Sequence, residues 1–301
     1  MAVLVVGSVA LDTVVTPFGK ADEALGGSAT YFSLAASYFD HPRLVAVVGE
    51  DFPEEHKQTL RRCNVDTEGL EVRAGKTFRW AGKYGFDLNQ RETLSTHLNV
   101  FEHFHPRLPG NYRESEYVFL GNIHPRLQLE VLDQVSSPVF VACDTMNFWI
   151  ENERETLCEV IKRVDAIVLN DSEARELACE PNLAKAARNI QELGCLKVII
   201  KKGEHGCLFF TPHSHFSAPA YPLESVYDPT GAGDSFAGGF MGYLARHGKL
   251  DELSIRRAII YGSVLASFTV ERFGVQRLLG LSEPEVLARY KEFLEITRFD
   301  S

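Results

Sequence analysis

Seven short apolar runs, mostly rich in β-branched residues and with no polar alternation, constrain the fold most. They are residues 3–6, 44–48, 117–120, 139–142, 166–169, 198–200 and 207–210. Strands covered on both faces of a parallel sheet read this way, because neither face meets water. Helical patterns lie between them, at residues 28–39, 53–63, 126–134, 152–163, 172–178 and 182–193. The last third is mainly helical, at 253–270 and 282–296. In the first helical segment Ala29, Phe32, Ala36 and Phe39 form an apolar stripe at helical spacing. This alternation predicts an α/β fold, a doubly wound, mostly parallel sheet with helices on both faces. No Pro-rich linker, internal repeat or low-complexity segment divides the chain, so residues 1–301 are expected to form a single domain.

One stretch, residues 73–103, departs from that pattern. Phe78, Trp80, Gly82, Tyr84 and Phe86 alternate with Thr77, Arg79, Ala81, Lys83 and Gly85. The polar turn Asp87-Leu88-Asn89-Gln90 follows, and then Leu94, Thr96, Leu98 and Val100 alternate with Thr93, Ser95, His97 and Asn99. Period-two alternation predicts a β-hairpin with one apolar face. It reads either as part of a small β lid projecting from the sheet or as a static antiparallel edge hairpin. The apolar face offers a surface for a homodimer through the lid.

Charge and cysteine usage exclude some functions. The formal net charge of -10 and a pI near 5.5 argue against a broad nucleic-acid-binding surface, while leaving room for a local basic pocket. The six cysteines form no C-x-x-C pair and read as free thiols in a reducing compartment. The apolar N-terminus lacks a basic leader and is interrupted by Asp12, and no run reaches the ~18 apolar residues that span a membrane. A cytoplasmic protein with no membrane partner is expected.

The chemistry concentrates in Asp228-Pro229-Thr230-Gly231-Ala232-Gly233-Asp234-Ser235-Phe236-Ala237-Gly238-Gly239-Phe240. Phe236, Phe240 and Leu244 recur every four residues, and His247-Gly248 reads as a helix end. The Gly231-Ala232-Gly233 turn thus opens a helix, where unpaired amides and the dipole favour an anion. A carboxylate at Asp234 is a poor phosphate ligand but a sensible base for an attacking hydroxyl. The bland reading makes Asp234 a first-turn acid and the glycines a tight turn. Elsewhere, Asp12 ends the first strand–turn, where α/β sheets place ligands, or is a turn-forming Asx residue. Gly26-Gly27 precedes a helix and permits close approach of a ligand, or is a plain turn. Asn170 and Glu173 have capping-box spacing at a helix start. Lys201-Lys202-Gly203-Glu204-His205-Gly206 reads as a hairpin turn between apolar strands, and Asp144-Thr145-Met146-Asn147 as a strand-end Asx turn. The pairs His103/His105 and His213/His215 lack zinc-site spacing and read as surface residues.

The segment 228–240, with Pro229 and Gly238-Gly239-Phe240, closely resembles the C-terminal signature of the ribokinase-like (PfkB-type) carbohydrate and nucleoside kinases. The resemblance extends over nearly the whole chain, through Gly7–Asp12, Gly26-Gly27, the lid-like hairpin, 170–173, 201–206 and the helix through Ser263. It implies an ATP-dependent phosphotransferase acting on a hydroxyl of a sugar, nucleoside or cyclitol. By the same resemblance Asp234 is the base and Gly231, Ala232 and Gly233 hold the transferred phosphate. Asp12, Gly26, Gly27 and Tyr31 meet the acceptor. Asn170 and Glu173 hold Mg2+ and the nucleotide phosphates, in the Mg2+ case through water. Lys201, Gly203, Gly206 and Ser263 flank the nucleotide, and Asp228 helps bind a monovalent cation such as K+. Asp144–Asn147 resembles the family's D-x-N segment with one extra residue.

Two departures stand out. Tyr31 occupies a position where many relatives carry an asparagine, which implies a flatter or larger acceptor such as a nucleoside or cyclitol, or a site using other contacts. Ser263 replaces the more usual amide or imidazole near adenine. A nicotinamide dehydrogenase would need G-x-G-x-x-G after the first strand, and a P-loop kinase G-x-x-x-x-G-K-[ST]; neither is present. A non-catalytic nucleotide- or sugar-binding sensor on the same fold is the alternative.

Overall fold

The computed structural model describes residues 2–298. Its strands are β1 (Val3–Val6), β2 (Ala10–Thr16), β3 (Gly19–Gly26), β4 (Arg43–Gly49), β5 (Asp66–Arg73), β6 (Phe78–Tyr84), β7 (Arg91–His97), β8 (Tyr117–Leu120), β9 (Phe140–Asp144), β10 (Ala166–Asn170), β11 (Lys197–Lys201), β12 (Cys207–Phe210) and β13 (His215–Ala218). Its α-helices are α1 (Ser28–Ala36), α2 (Glu54–Arg62), α3 (Pro125–Leu132), α4 (Asn147–Asn152), α5 (Arg154–Ile161), α6 (Asp171–Ala178), α7 (Leu183–Glu192), α8 (Ala232–His247), α9 (Glu252–Thr269), α10 (Gln276–Leu279) and α11 (Glu283–Thr297).

The apolar runs form the main sheet, nine strands in the order β13-β12-β11-β10-β9-β8-β1-β4-β5. Pairing is parallel from β5 through β11. The last two strands turn back antiparallel, through a tight turn at 203–205. Successive side chains feed opposite layers. Val3, Val5, Ala46 and Val48 pack in the core beneath α1, α8 and α9, and Leu4, Val6, Val45 and Val47 in the core beneath α3, α5, α6 and α7.

Three local readings need correction. The helical pattern at 152–163 starts two residues late, as α5 at Arg154, because Glu153, with a φ of -131°, is not helical and separates it from a further helix, α4, that ends at Asn152. Helix α8 is not amphipathic but buried from Ser235 to Ala245. Gly238 and Gly242 lie against α1 and Gly239 against α9, where a methyl group would strike neighbouring backbone. The 73–103 hairpin is narrower and belongs to a larger unit, the four-stranded sheet β3-β2-β6-β7. Residue 73 still belongs to β5, and 99–103 form a short 3-10 helix. Asp12 accordingly does not end the first strand–turn; it lies within β2 of this second sheet. Its hairpin with β3 was illegible in sequence because Asp22, Glu23 and Lys20 blur the alternation and a bulge follows Asp12.

Candidate active site

The glycine turn stands where the sequence puts it, at the start of α8. Gly231 caps the helix at φ 75° and ψ 0°, a left-handed conformation that side chains resist. It also lies flat on the Tyr31 ring, so that a Cβ here would stand 2.3 Å from Tyr31 Cγ. Among the described residues no side chain caps this end of α8, and its first-turn amides are left for a ligand. One of the three expected amides is drawn back, since the Ala232 N–H donates to the Pro229 carbonyl at 3.3 Å.

Around this turn five carboxyl groups converge with two cations. Asp234 is the first-turn acid of α8, and burial raises its carboxyl above the ordinary range while Lys201 and Arg91 pull it back. Asp12, 5% exposed, accepts from the Gly27 N–H at 3.2 Å. Burial, reinforced by the charges of Asp228 and Asp234, raises Asp12 to about 7. Asp144 ends β9, and burial and then the Asp234 charge push it well up. Its Oδ1 is buried without a hydrogen-bond partner. Glu173 is likewise raised by burial and lowered by Lys201. Asp228 is raised by burial against the pull of the Gly274 and Thr230 N–H groups, which donate to Oδ2 and Oδ1 at 2.9 Å each.

Strand register delivers the first cation. Lys201, the last residue of β11, is level with Asn170 of β10. Its Nζ lies 2.7 Å from where a Cβ on Gly233 would stand. The resemblance sets Lys201 beside the nucleotide, and in the structure its ammonium reaches the glycine turn itself.

The second cation, Arg91, was not found in sequence. Antiparallel partners share a face, so Thr96 opposite Trp80 lies on the face of Trp80, Gly82 and Tyr84. A bulge between Ala81 and Gly82 then shifts the phase, so that Gly82 faces Thr93 and Tyr84 faces Arg91. Unbulged alternation would put Leu94 and Glu92 on this face; the extra residue replaces them with Thr93 and Arg91. The Arg91 guanidinium lies 5.3 Å from the Trp80 ring centroid. Asp12, level with Trp80 on β2, is on the same face. That face looks onto the glycine turn, because the Thr230 hydroxyl donates to the Tyr84 hydroxyl at 3.3 Å. At the tip of the sheet, the Asn89 side chain lies against Gly203.

The remaining expected residues fall into place unevenly. Gly26 and Gly27 lie against Asp12 at the end of β3, and Gly27 takes φ 93°. Tyr31 is 1% exposed with its hydroxyl unpartnered, packed beneath the turn rather than lining an open surface. Asn170 and Glu173 form a complete capping box: Asn170 Oδ1 accepts from the Glu173 N–H at 2.8 Å, and Glu173 Oε2 from the Asn170 N–H at 2.7 Å. Gly203 and Gly206 bound the turn between β11 and β12. Ser263 faces its own helix, donating to the Ile259 carbonyl at 3.1 Å. Among the described residues no cluster of three or more His, Cys, Asp or Glu side chains could hold a metal unaided.

A carboxyl beside an anion-binding helix start, under a sheet that brings a second carboxyl and an arginine, is equipped for proton removal next to a phosphoryl group. The model of the pfkB family of carbohydrate kinases matches residues 19–280. The chain belongs to the pfkB carbohydrate kinase family. It is a phosphotransferase of the carbohydrate or nucleoside kinase type, with a ribokinase-like fold. It is 29% identical to a cytidine kinase of Thermococcus kodakarensis over 263 residues, 85% of this chain and 94% of the relative. Its fold is shared with a Burkholderia thailandensis nucleoside kinase in complex with inosine, at TM-score 0.79, 20% identity and coverage of 96% of this chain and 97% of that one. It is shared equally with aminoimidazole riboside kinase from Salmonella enterica, complexed with aminoimidazole riboside and an ATP analog, at TM-score 0.74, 19% identity and coverage of 98% and 100%. No helix among the described residues is long and apolar enough to cross a membrane.

Proposed function

We propose that this kinase transfers the γ-phosphoryl group of ATP to a hydroxyl of a sugar or sugar-containing acceptor, with Asp234 as the base. The observation that carries the proposal is the Asp234 carboxyl itself: half-buried, raised above its ordinary range by desolvation, and placed directly after the anion-binding turn of α8. Asp12 and the Gly26-Gly27 backbone hold the acceptor hydroxyls from the lid side. Asp234 takes the proton as the new O–P bond forms and the bond to the ADP oxygen breaks. Amides of the 231–233 turn, with Lys201 and Arg91, stabilise the transferring group. Tyr31 supports the turn from beneath. The turn at Gly203 and Gly206 and the α9 face near Ser263 border the nucleotide.

A divalent cation fits the donor set, since a buried, unpartnered carboxylate oxygen on Asp144 beside Glu173 is the hard ligand that Mg2+ takes. Such an ion supplies charge neutralisation between donor phosphates, its other ligands being phosphate and water. The Asn170 oxygen is occupied in the capping box, so Asn170 orients Glu173. K+ is not required by the proposal: both Asp228 oxygens already hold backbone N–H groups, clipping Thr230 to Gly274.

The support from relatives is that the cytidine kinase, the inosine complex and the riboside–ATP analog complex all pair a sugar-bearing acceptor with kinase architecture. The test is coupled ADP release with Mg-ATP and a panel of pentoses, hexoses, nucleosides and cyclitols. Acceptor-dependent ADP with a matching phosphomonoester is expected. ADP formed equally with and without acceptor, or none with any acceptor, would defeat the proposal.

A further inference from the structure

Beyond β8 and β9 lies a side-chain cluster that the phosphoryl-transfer scheme leaves unused. Asn122 follows β8 by two residues, and the Trp149 indole N–H donates to its Oδ1 at 2.9 Å. Among the described residues, the other end of that amide, Nδ2, meets the Met146 sulfur alone, 3.3 Å away. Trp149 carries an aromatic ring on either side: His124 with centroids 5.0 Å apart, and Phe148 edge-on at 4.9 Å. Phe148 is 53% exposed, while Trp149 is half-buried.

The position of this cluster assigns it to the acceptor. Gly121, one residue before Asn122, donates its N–H to the Val6 carbonyl at 2.8 Å. A Cβ on Gly121 would stand 3.4 Å from Ser28 Oγ and 3.5 Å from Gly7 Cα. Ser28 adjoins Gly27, whose N–H holds Asp12. The cluster therefore begins beside the acceptor end of the cleft. Strands β9 and β10 separate β8 from β11, which leads into the turn at Gly203 and Gly206.

Resting on the kinase reading above, we infer that Asn122, Phe148 and Trp149 form a subsite for the planar base of a nucleoside acceptor. The rings supply stacking surface, and stacking on an aromatic side chain is tolerant of base identity. The weakly engaged Asn122 Nδ2 supplies one donor for a carbonyl or ring nitrogen of the base. A free sugar or a cyclitol can offer Asn122 a hydroxyl oxygen but has no π face to lay against the rings.

Two readouts test this. In the first, kcat/KM with Mg-ATP is compared for cytidine, inosine, ribose and myo-inositol in wild type, Phe148→Ala, Trp149→Ala and Asn122→Ala. The inference predicts nucleosides favoured over ribose in wild type. It also predicts a fall of about tenfold or more in the nucleoside-to-ribose ratio in the aromatic variants, seated in KM rather than kcat. Exposed Phe148 keeps the test open if Trp149→Ala fails to fold. An unchanged ratio, or a wild type preferring ribose or inositol, overturns the inference and leaves the kinase reading intact. The second readout needs no turnover. In a Trp80→Phe background Trp149 is the sole tryptophan. Cytidine or inosine should quench its fluorescence saturably, and ribose should not. Absence of quenching by nucleosides overturns the base subsite, and quenching without phosphorylation of any acceptor defeats the kinase reading instead.

Discussion

Asp12 and Asp234 show how single carboxyls are tuned here and how that tuning is measurable. Asp12 rises from an ordinary 3.8 to about 7 in the folded chain. Between those values the folded state holds a proton that the unfolded state has shed, so the contribution to stability is complete below about pH 4 and is lost as pH rises through 7. Asp12→Asn should therefore gain on wild type as pH rises from 5 to 8, by on the order of a few kcal/mol, in urea denaturation at each pH. A difference that stays flat with pH would contradict the burial argument. For Asp234 the cations matter. Lys201 and Arg91 lower its carboxyl, so Lys201→Met or Arg91→Met should raise it and move the acid limb of kcat/KM upward by roughly one pH unit. A limb that stays put or moves down would remove the cation from the site. At this scale the sequence named Asp228 and Asp234 from the Gly-rich segment around them, and named Asp12 from a strand-end reading that the structure replaces with a place inside β2. It could not name Arg91, and it placed Lys201 beside the nucleotide only through the resemblance, since the position of either cation depends on which strand lies alongside.

The element that decides most is β7 with its bulge. Simple alternation predicts Leu94, Thr96 and Leu98 on one apolar face, yet the bulge breaks the phase and Leu94 is 52% exposed. Exchanging the two residues, Arg91→Glu with Glu92→Arg, should keep the pairing and move the cation to the opposite face, away from the glycine turn. The account predicts a fold intact by circular dichroism and a kcat lowered about as far as in Arg91→Met, ~10²-fold or more for loss of a transition-state cation. Retention of wild-type kcat would show that Arg91 does not act from this strand. The buried parallel strands were legible because nothing polar interrupts them. Strands β3 and β5 were not, since both are largely solvent-facing and carry charges along their length. The apolar stripe Phe236, Phe240 and Leu244 located α8 but not its burial, which depends on α1 and α9 lying against the glycines on its other sides.

At the scale of the molecule, the main sheet and helix α8 supply the glycine turn, Lys201 and the strand-end carboxyls from one edge, and the small sheet sets Asp12 and Arg91 over them. Contact between Asn89 and Gly203 and between Tyr84 and Thr230 joins the two sheets across the cleft. The α/β class and its doubly wound order could be read from hydrophobic pattern alone. The second sheet could not, because it is assembled from hairpins some fifty residues apart in the chain, 10–26 and 78–97. Ligands that bind only the folded chain stabilise it by mass action, so the nucleotide should raise the melting temperature whether or not catalysis follows. That separates binding from chemistry in the most direct test of the central claim, acceptor-dependent ADP release by wild type and Asp234→Asn. The account predicts turnover at least ~10²-fold lower in the variant, with the nucleotide-dependent rise in melting temperature preserved. Turnover near that of wild type would show that Asp234 is not the base.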